Sequence, residues 1–218
     1  MNGDEFVALL DRQVRLGLER LGHLSGAGEP SAELTVSRLL TIALKNELEA
    51  AEIAAVWMRD TQELDVMLAL ARQVGDEAKH YRALCDRLKE LGVDADRIDP
   101  RQNGYSPLFQ YLRDLKGMLP RIAAGQFVRE GIALVRNQCF IEYCEAVGDK
   151  ETAALYRDVI QPDERHHHEL GRKLLARYGQ DPEHQAGAEE AARRTLELAE
   201  EIQEAARLKA GISRAPGC

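Results

Sequence analysis

Two stretches decide how this chain folds: Asp76-Glu77-Ala78-Lys79-His80 and Asp163-Glu164-Arg165-His166-His167. Each sets a Glu and a His three residues apart, a spacing that lays both side chains on one face of a helix. With 6 His among 218 residues, a His three positions after a given Glu is a chance event of about 3%. The Asp ahead of each Glu makes the repeat rarer still, so two copies point to a shared task.

Helical periodicity extends outward from both stretches. Leu40, Ala43, Leu44, Glu47, Ala51, Ala54 and Met58 recur at helical spacing, in a segment that opens after Pro30-Ser31 and closes near Asp60-Thr61. This predicts a long helix with one acid, Glu47, on its apolar stripe, Glu49 being the alternative. The first stretch lies on a second helix, whose face carries Leu70, Val74, Glu77, His80, Leu84 and Leu88 and which stops at Gly92. Val93 to Leu119 reads as a long connection with one short helix over Leu108 to Leu115. A third helix is expected from about Pro120 to Val147, with Glu130 on a stripe shared by Ala123, Phe127 and Ile141 and with Glu142 and Glu145 as competing acids. A fourth runs from about Glu151 to Tyr178, kinked by Pro162 just before the second stretch. Amphipathic helices near Glu5 to Leu21 and Glu183 to Leu208 flank the set, and the tail from Gly211 to Cys218 is expected to fray. The chain thus divides into an N-terminal flanking helix (1–30), a four-helix bundle (31–180) and a C-terminal helix with its tail (181–218).

Composition agrees with an all-α fold and removes several functions. Hydrophobic residues make up 44% of the chain, enough for a sizeable interior, while aromatics reach only 5% and Pro is scarce. A formal charge of -8 with no basic stripe argues against nucleic acid or an anionic membrane as partner. No apolar run is long enough to span a bilayer and the N-terminus lacks signal-peptide character, so a cytoplasmic location is expected. Cys85, Cys139, Cys144 and Cys218 form no C-x-x-C pair and read as reduced thiols.

The order of the polar residues on the apolar stripes then carries the chemistry: lone Glu47, Glu77 with His80, lone Glu130, Glu164 with His167. Thirty residues separate Glu47 from Glu77 and thirty-four separate Glu130 from Glu164, the length needed to climb one long helix and return to the same height on its neighbour. Four carboxylates gathered in a bundle interior repel one another and lose hydration, so protons or cations must neutralise them. Two divalent cations would balance the charge. Carboxylates with only two imidazoles suit iron first and manganese second, better than copper or structural zinc.

In this arrangement the chain resembles the ferritin-like di-iron carboxylate superfamily, whose bundles combine two lone Glu with two Glu-x-x-His helices. The resemblance covers roughly Val36 to Tyr178. Leu44-Lys45-Asn46-Glu47-Leu48-Glu49-Ala50 looks like the ligand helix of bacterioferritins, and the Asp-Glu-x-x-His words with their intervals look more like the soluble di-iron oxygenases and oxidases. The resemblance implies that Glu47, Glu77 and His80 serve one iron and Glu130, Glu164 and His167 the other, with Glu77 and Glu164 bridging. It also implies that Asp76 and Asp163 orient ligand imidazoles, in cross-pairs Asp76 to His167 and Asp163 to His80. His166 and His168 are read as flanking or surface groups, and no side chain beyond the ligands is nominated as catalytic. The implied activity is oxidation or hydroxylation of a small organic substrate with O₂, drawing electrons from an external donor or reductase. The alternative is ferroxidase, iron-handling or peroxide-scavenging work of the ferritin, bacterioferritin or rubrerythrin kind. Two departures bear on the branch. Leu134 stands where several hydroxylases carry a Thr, and Ala133 stands where rubrerythrins carry an extra Glu. A homodimer is expected from the outer amphipathic helices.

Overall fold

The computed structural model describes residues 1–26 and 34–217. The expected opening at Pro30-Ser31 and the thiol of Cys218 lie outside the described residues. Those described form seven α-helices and no strand: α1 (Gly3–Gly26), α2 (Val36–Arg59), α3 (Leu64–Glu90), α4 (Pro107–Asp114), α5 (118–146), α6 (150–178) and α7 (Pro182–Ala210). None is long and apolar enough to cross a membrane. Boundaries follow local chemistry. The Thr35 hydroxyl accepts from Arg38 N–H at the start of α2, Ser106 does the same for α4 ahead of Pro107, and Asp181 caps α7 ahead of Pro182. Gly92 and Gly148, at φ +80° and +85°, end α3 and α5 in the left-handed conformation that other residues avoid.

Helices α2 and α3 form one antiparallel hairpin and α5 and α6 another, and residues 91–117 carry the chain back along the bundle between them. At one end Trp57, Leu70, Phe127 and Leu175 share an apolar cluster with α1 and α7. At the other end Leu40, Leu84, Phe140 and Tyr156 form a separate cluster. Between these two cores the bundle interior is polar. The apolar faces of α1 and α7, expected to meet a partner copy, pack in the first cluster: Phe6, Leu10 and Leu21 of α1 and Ala188, Ala192 and Ala199 of α7 are all buried within it.

Two features differ from the sequence expectation. Helices α5 and α6 each contain a π stretch, Ala123–Arg129 and Tyr156–Ile160, where Glu130 N–H reaches Gly125 O and Gln161 N–H reaches Tyr156 O five residues back. In α6 the stretch ends beside Pro162, which has no N–H to offer the carbonyl four residues earlier, so the helix widens by a residue instead of simply bending. The tail is also not frayed. Residues 211–217 lie across α2 and α5 as a strap, with Asn46 Nδ2 donating to Pro216 O at 2.9 Å and Gly217 N–H donating to Asn137 Oδ1 at 2.8 Å. Pro216 and Gly217 are buried.

Candidate metal centre

The six side chains picked out by spacing meet in the polar middle of the bundle. Glu47 on α2, Glu77 and His80 on α3, Glu130 on α5, and Glu164 and His167 on α6 are each at most 3% exposed. Their donor atoms fall into two overlapping quartets, Glu47, Glu77, His80 and Glu164, and Glu77, Glu130, Glu164 and His167, with the atoms of each quartet within 4.8 Å of one another. Glu77 and Glu164 belong to both. Each quartet has the donor types and closeness to hold a metal ion. Glu49, the alternative to Glu47, is also buried but turns toward the crossover, where it accepts from Ser106 N–H and Oγ–H. Glu142 and Glu145 are exposed.

Within the first quartet His80 Nδ1 lies 3.3 Å from Glu47 Oε2, 3.4 Å from Glu77 Oε2 and 3.7 Å from Glu164 Oε1. Within the second, His167 Nδ1 lies 3.4 Å from Glu164 Oε2 and 3.9 Å from Glu77 Oε1. The opposite edges of both rings point outward, His80 Nε2 to Asp163 Oδ2 and His167 Nε2 to Asp76 Oδ2, each at 3.1 Å. These are the two cross-pairs expected from the sequence. An Asp accepting from Nε2–H leaves Nδ1 of the same ring as an inward lone-pair donor. Lys79 ties the outer pair together, pairing with Asp163 and lying 3.7 Å from Asp76.

The protons of the cluster reveal its strain. Burial pushes the Glu47 carboxyl up to about 7, and burial with the charges of Glu77 and Glu130 pushes Glu164 well above the carboxylate range. Burial also acts to raise Glu77, yet the imidazoles of His80 and His167 hold it below the ordinary value. His80 is drained of solvent too, but hydrogen bonding to Glu47 and Glu77 raises it to about 11. Glu164 Oε2 and His167 Nδ1, though 3.4 Å apart, are both buried without a hydrogen-bond partner. A void of about 10 Å³ opens among Glu47, Glu77, Glu130 and Glu164, the room of a single water or ion. Orphaned donors around ion-sized space fit bound cations, which would replace the shared protons.

Sequence reasoning missed a buried amide pair. Gln73 Nε2 donates to Glu130 Oε1 at 2.6 Å and reaches Glu77 Oε1 at 3.5 Å, and Gln126 Nε2 donates to Gln73 Oε1 at 2.9 Å. Buried Arg129 lies 3.5 Å from Glu130 Oε1 and donates to Asn46 O. Gln73 sits one turn before Glu77 on the same apolar face, so a polar residue out of place was the available signal. His168 stacks on Phe127 and its Nδ1 lies 2.7 Å from Phe127 O within the π stretch, whereas His166 is exposed.

A family model described as "Protein of unknown function (DUF455)" matches residues 37–216. The chain belongs to the DUF455 family. The DUF455 match takes in all six clustered side chains, both outer Asp residues and the strap as far as Pro216, and leaves out α1. No curated protein and no solved structure matches the chain.

Proposed function

We propose that this protein is a ferritin-like di-iron carboxylate oxidoreductase, with manganese able to replace one or both irons, that uses O₂ to oxidise or hydroxylate a small organic substrate. The observation that carries this reading is the pair of quartets sharing Glu77 and Glu164, because two ions placed there would be close enough to act together. Four carboxylates match the charge of two divalent cations, and the hard oxygen donors favour iron or manganese. When bound, such a pair supplies electrons to O₂ and spreads the charge change over two centres. Hydroxylation of a C–H bond by O₂ also consumes two electrons and two protons and releases water, so an external reductant is required.

The chain's own residues have separable tasks. Glu77 and Glu164, common to both quartets, would help to hold both ions, Glu47 and Glu130 would each help to hold one, and Asp76 and Asp163 orient the rings of His167 and His80. Burial keeps bulk water out, which strengthens every charge interaction inside. The ferroxidase alternative draws on the same six residues. Ala133, which borders the small void, offers no additional carboxylate of the kind peroxide scavengers use there.

The test is to purify the protein aerobically, measure bound metal, and follow optical absorption and O₂ uptake on adding Fe(II). Two irons per chain with O₂ consumption that a small reductant sustains is the expected result. Absence of metal after Fe(II) loading would end the proposal, and loading of hundreds of irons per chain would replace it with storage.

A further inference from the structure

A cavity of about 130 Å³ lies between α2, α4, α5, α7 and the strap. Ile42, Leu108, Ala199, Ile202, Ile212 and Ala215 give it apolar walls. Its polar side chains are engaged elsewhere. Ser106 Oγ donates to Glu49, Gln203 Nε2 donates to Ser25 Oγ at 2.9 Å, and Arg136 donates to Gln203 Oε1 and to the carbonyl oxygens of Ala199 and Gly217. A pocket whose donors and acceptors are already matched rewards apolar area and penalises any group that brings unsatisfied polarity. An apolar cavity of about 150 Å³ holds benzene, which sets the scale of a body that fits inside.

The position of this cavity gives it meaning. Asn46 lines it, and Asn46 together with Gly217 also lines the void among Glu47, Glu77, Glu130 and Glu164. Gly217 has φ +75°, and a Cβ there would come within 3.3 Å of Asn46 Cβ, so the absence of a side chain lets the strap press against α2 at this point. Asn46, against which Gly217 packs, is therefore the residue common to the apolar pocket and the candidate metal centre. The other large grooves, along α1 and α7 and along α1 and α5, share no lining residue with the void among the carboxylates.

We infer that this pocket receives the organic substrate and that the substrate is a compact, uncharged, mainly apolar molecule about the size of one six-membered ring. Its assignment to a substrate rests on the di-metal reading above, whereas its binding chemistry does not. The strap forms one wall, so residues 211–217 are part of the binding site rather than a loose end.

Saturation-transfer NMR on the full chain, with toluene and indole as uncharged probes and benzoate and benzylamine as charged controls, tests the inference. Toluene and indole are expected to bind at least tenfold more tightly than the charged controls. Ala206→Phe from α7 and Ile42→Trp from α2, both at half-buried lining positions, are expected to weaken toluene at least tenfold while metal content per chain stays at the native value. No binding of toluene or indole, undiminished binding in both variants, or equal binding of benzoate would overturn the pocket assignment and leave the metal centre standing. Pocket-dependent toluene binding by a protein that takes up no metal would instead sink the di-metal reading and retain the uncharged-ligand site.

Discussion

The two halves of the cluster present the same ligand types on different kinds of helix. Glu47, Glu77 and His80 sit on α2 and α3, which keep ordinary α-helical bonding throughout. Glu130, Glu164 and His167 sit on α5 and α6, each with a π stretch within four residues of its Glu. The environments differ in the same sense. Glu47 pairs with His80 and also meets the Glu77 carboxyl, whereas Glu130 is held by Gln73 and flanked by Arg129. π turns recur at functional sites because they shift the side-chain register and free backbone carbonyls. Here the Phe127 carbonyl oxygen, which Glu130 N–H also reaches, lies 2.7 Å from His168 Nδ1. The lesson is that the donor pattern is repeated but its support is not: one half sits on regular α-helices and the other on helices widened by a π stretch.

The strongest way to break that comparison is to remove a shared ligand. Glu164→Ala should abolish binding of both ions, measured as metal per chain, while Glu47→Ala should leave the second ion in place. If Glu164→Ala retains two metals, the quartets do not share it. Removing an outer Asp acts on one half at a time. Asp163→Ala should weaken the ion near His80 and Asp76→Ala the ion near His167, each about 10- to 100-fold by metal titration. Equal loss at both ions from either change would dissolve the cross-pairing.

Proton competition sharpens the contrast further. Glu47, with its carboxyl raised to about 7, and His80, raised to about 11, must both lose a proton before they ligate, so affinity of the ion they serve should fall by at least about tenfold per pH unit below 7. A pH-independent titration between 5.5 and 7 would contradict this. Gln73→Met should weaken the ion near Glu130 by about tenfold while sparing the one near Glu47, with circular dichroism and Tm near native. The smallest effects concern the helices themselves. A Cβ at Gly171 of α6 would lie 2.8 Å from the Gln126 carbonyl carbon in the π stretch, but one at Gly75 of α3 meets nothing within 4 Å. Gly171→Ala should therefore cost about 1–3 kcal/mol in urea unfolding, and Gly75→Ala should add about 0.5–1 kcal/mol.

The regular half was the more legible in the sequence. Glu47, Glu77 and His80 fell on apolar stripes whose period of 3.6 residues is the period of the helices that carry them. Glu130, Glu164 and His167 were also found on apolar stripes, with the second Asp-Glu-x-x-His word and the interval from Glu130 to Glu164 as further signals. The π stretches could not be read, since one inserted residue leaves apolar neighbours apolar and only Pro162 hinted at a disturbance. Gln73 and Gln126 were missed because a Gln carries no chemistry of its own in a motif search and gains its role only from the Glu130 oxygen it meets. The strap was misread because Ile212, Ala215 and Pro216 are too few to show a period, and their burial depends on side-chain amides from α2 and α5 that no local pattern announces.

The acids at the waist of the bundle have a mechanical consequence. Because they separate the apolar cluster around Trp57 and Phe127 from the one around Phe140 and Tyr156, the two ends cohere through oil-like contacts while the middle holds mutually repelling groups. A metal-free chain should thus be softest at its centre, with amides near Glu77 and Glu164 exchanging before those at either end. Loaded ions would act there as rivets, joining two lobes into one cooperative body.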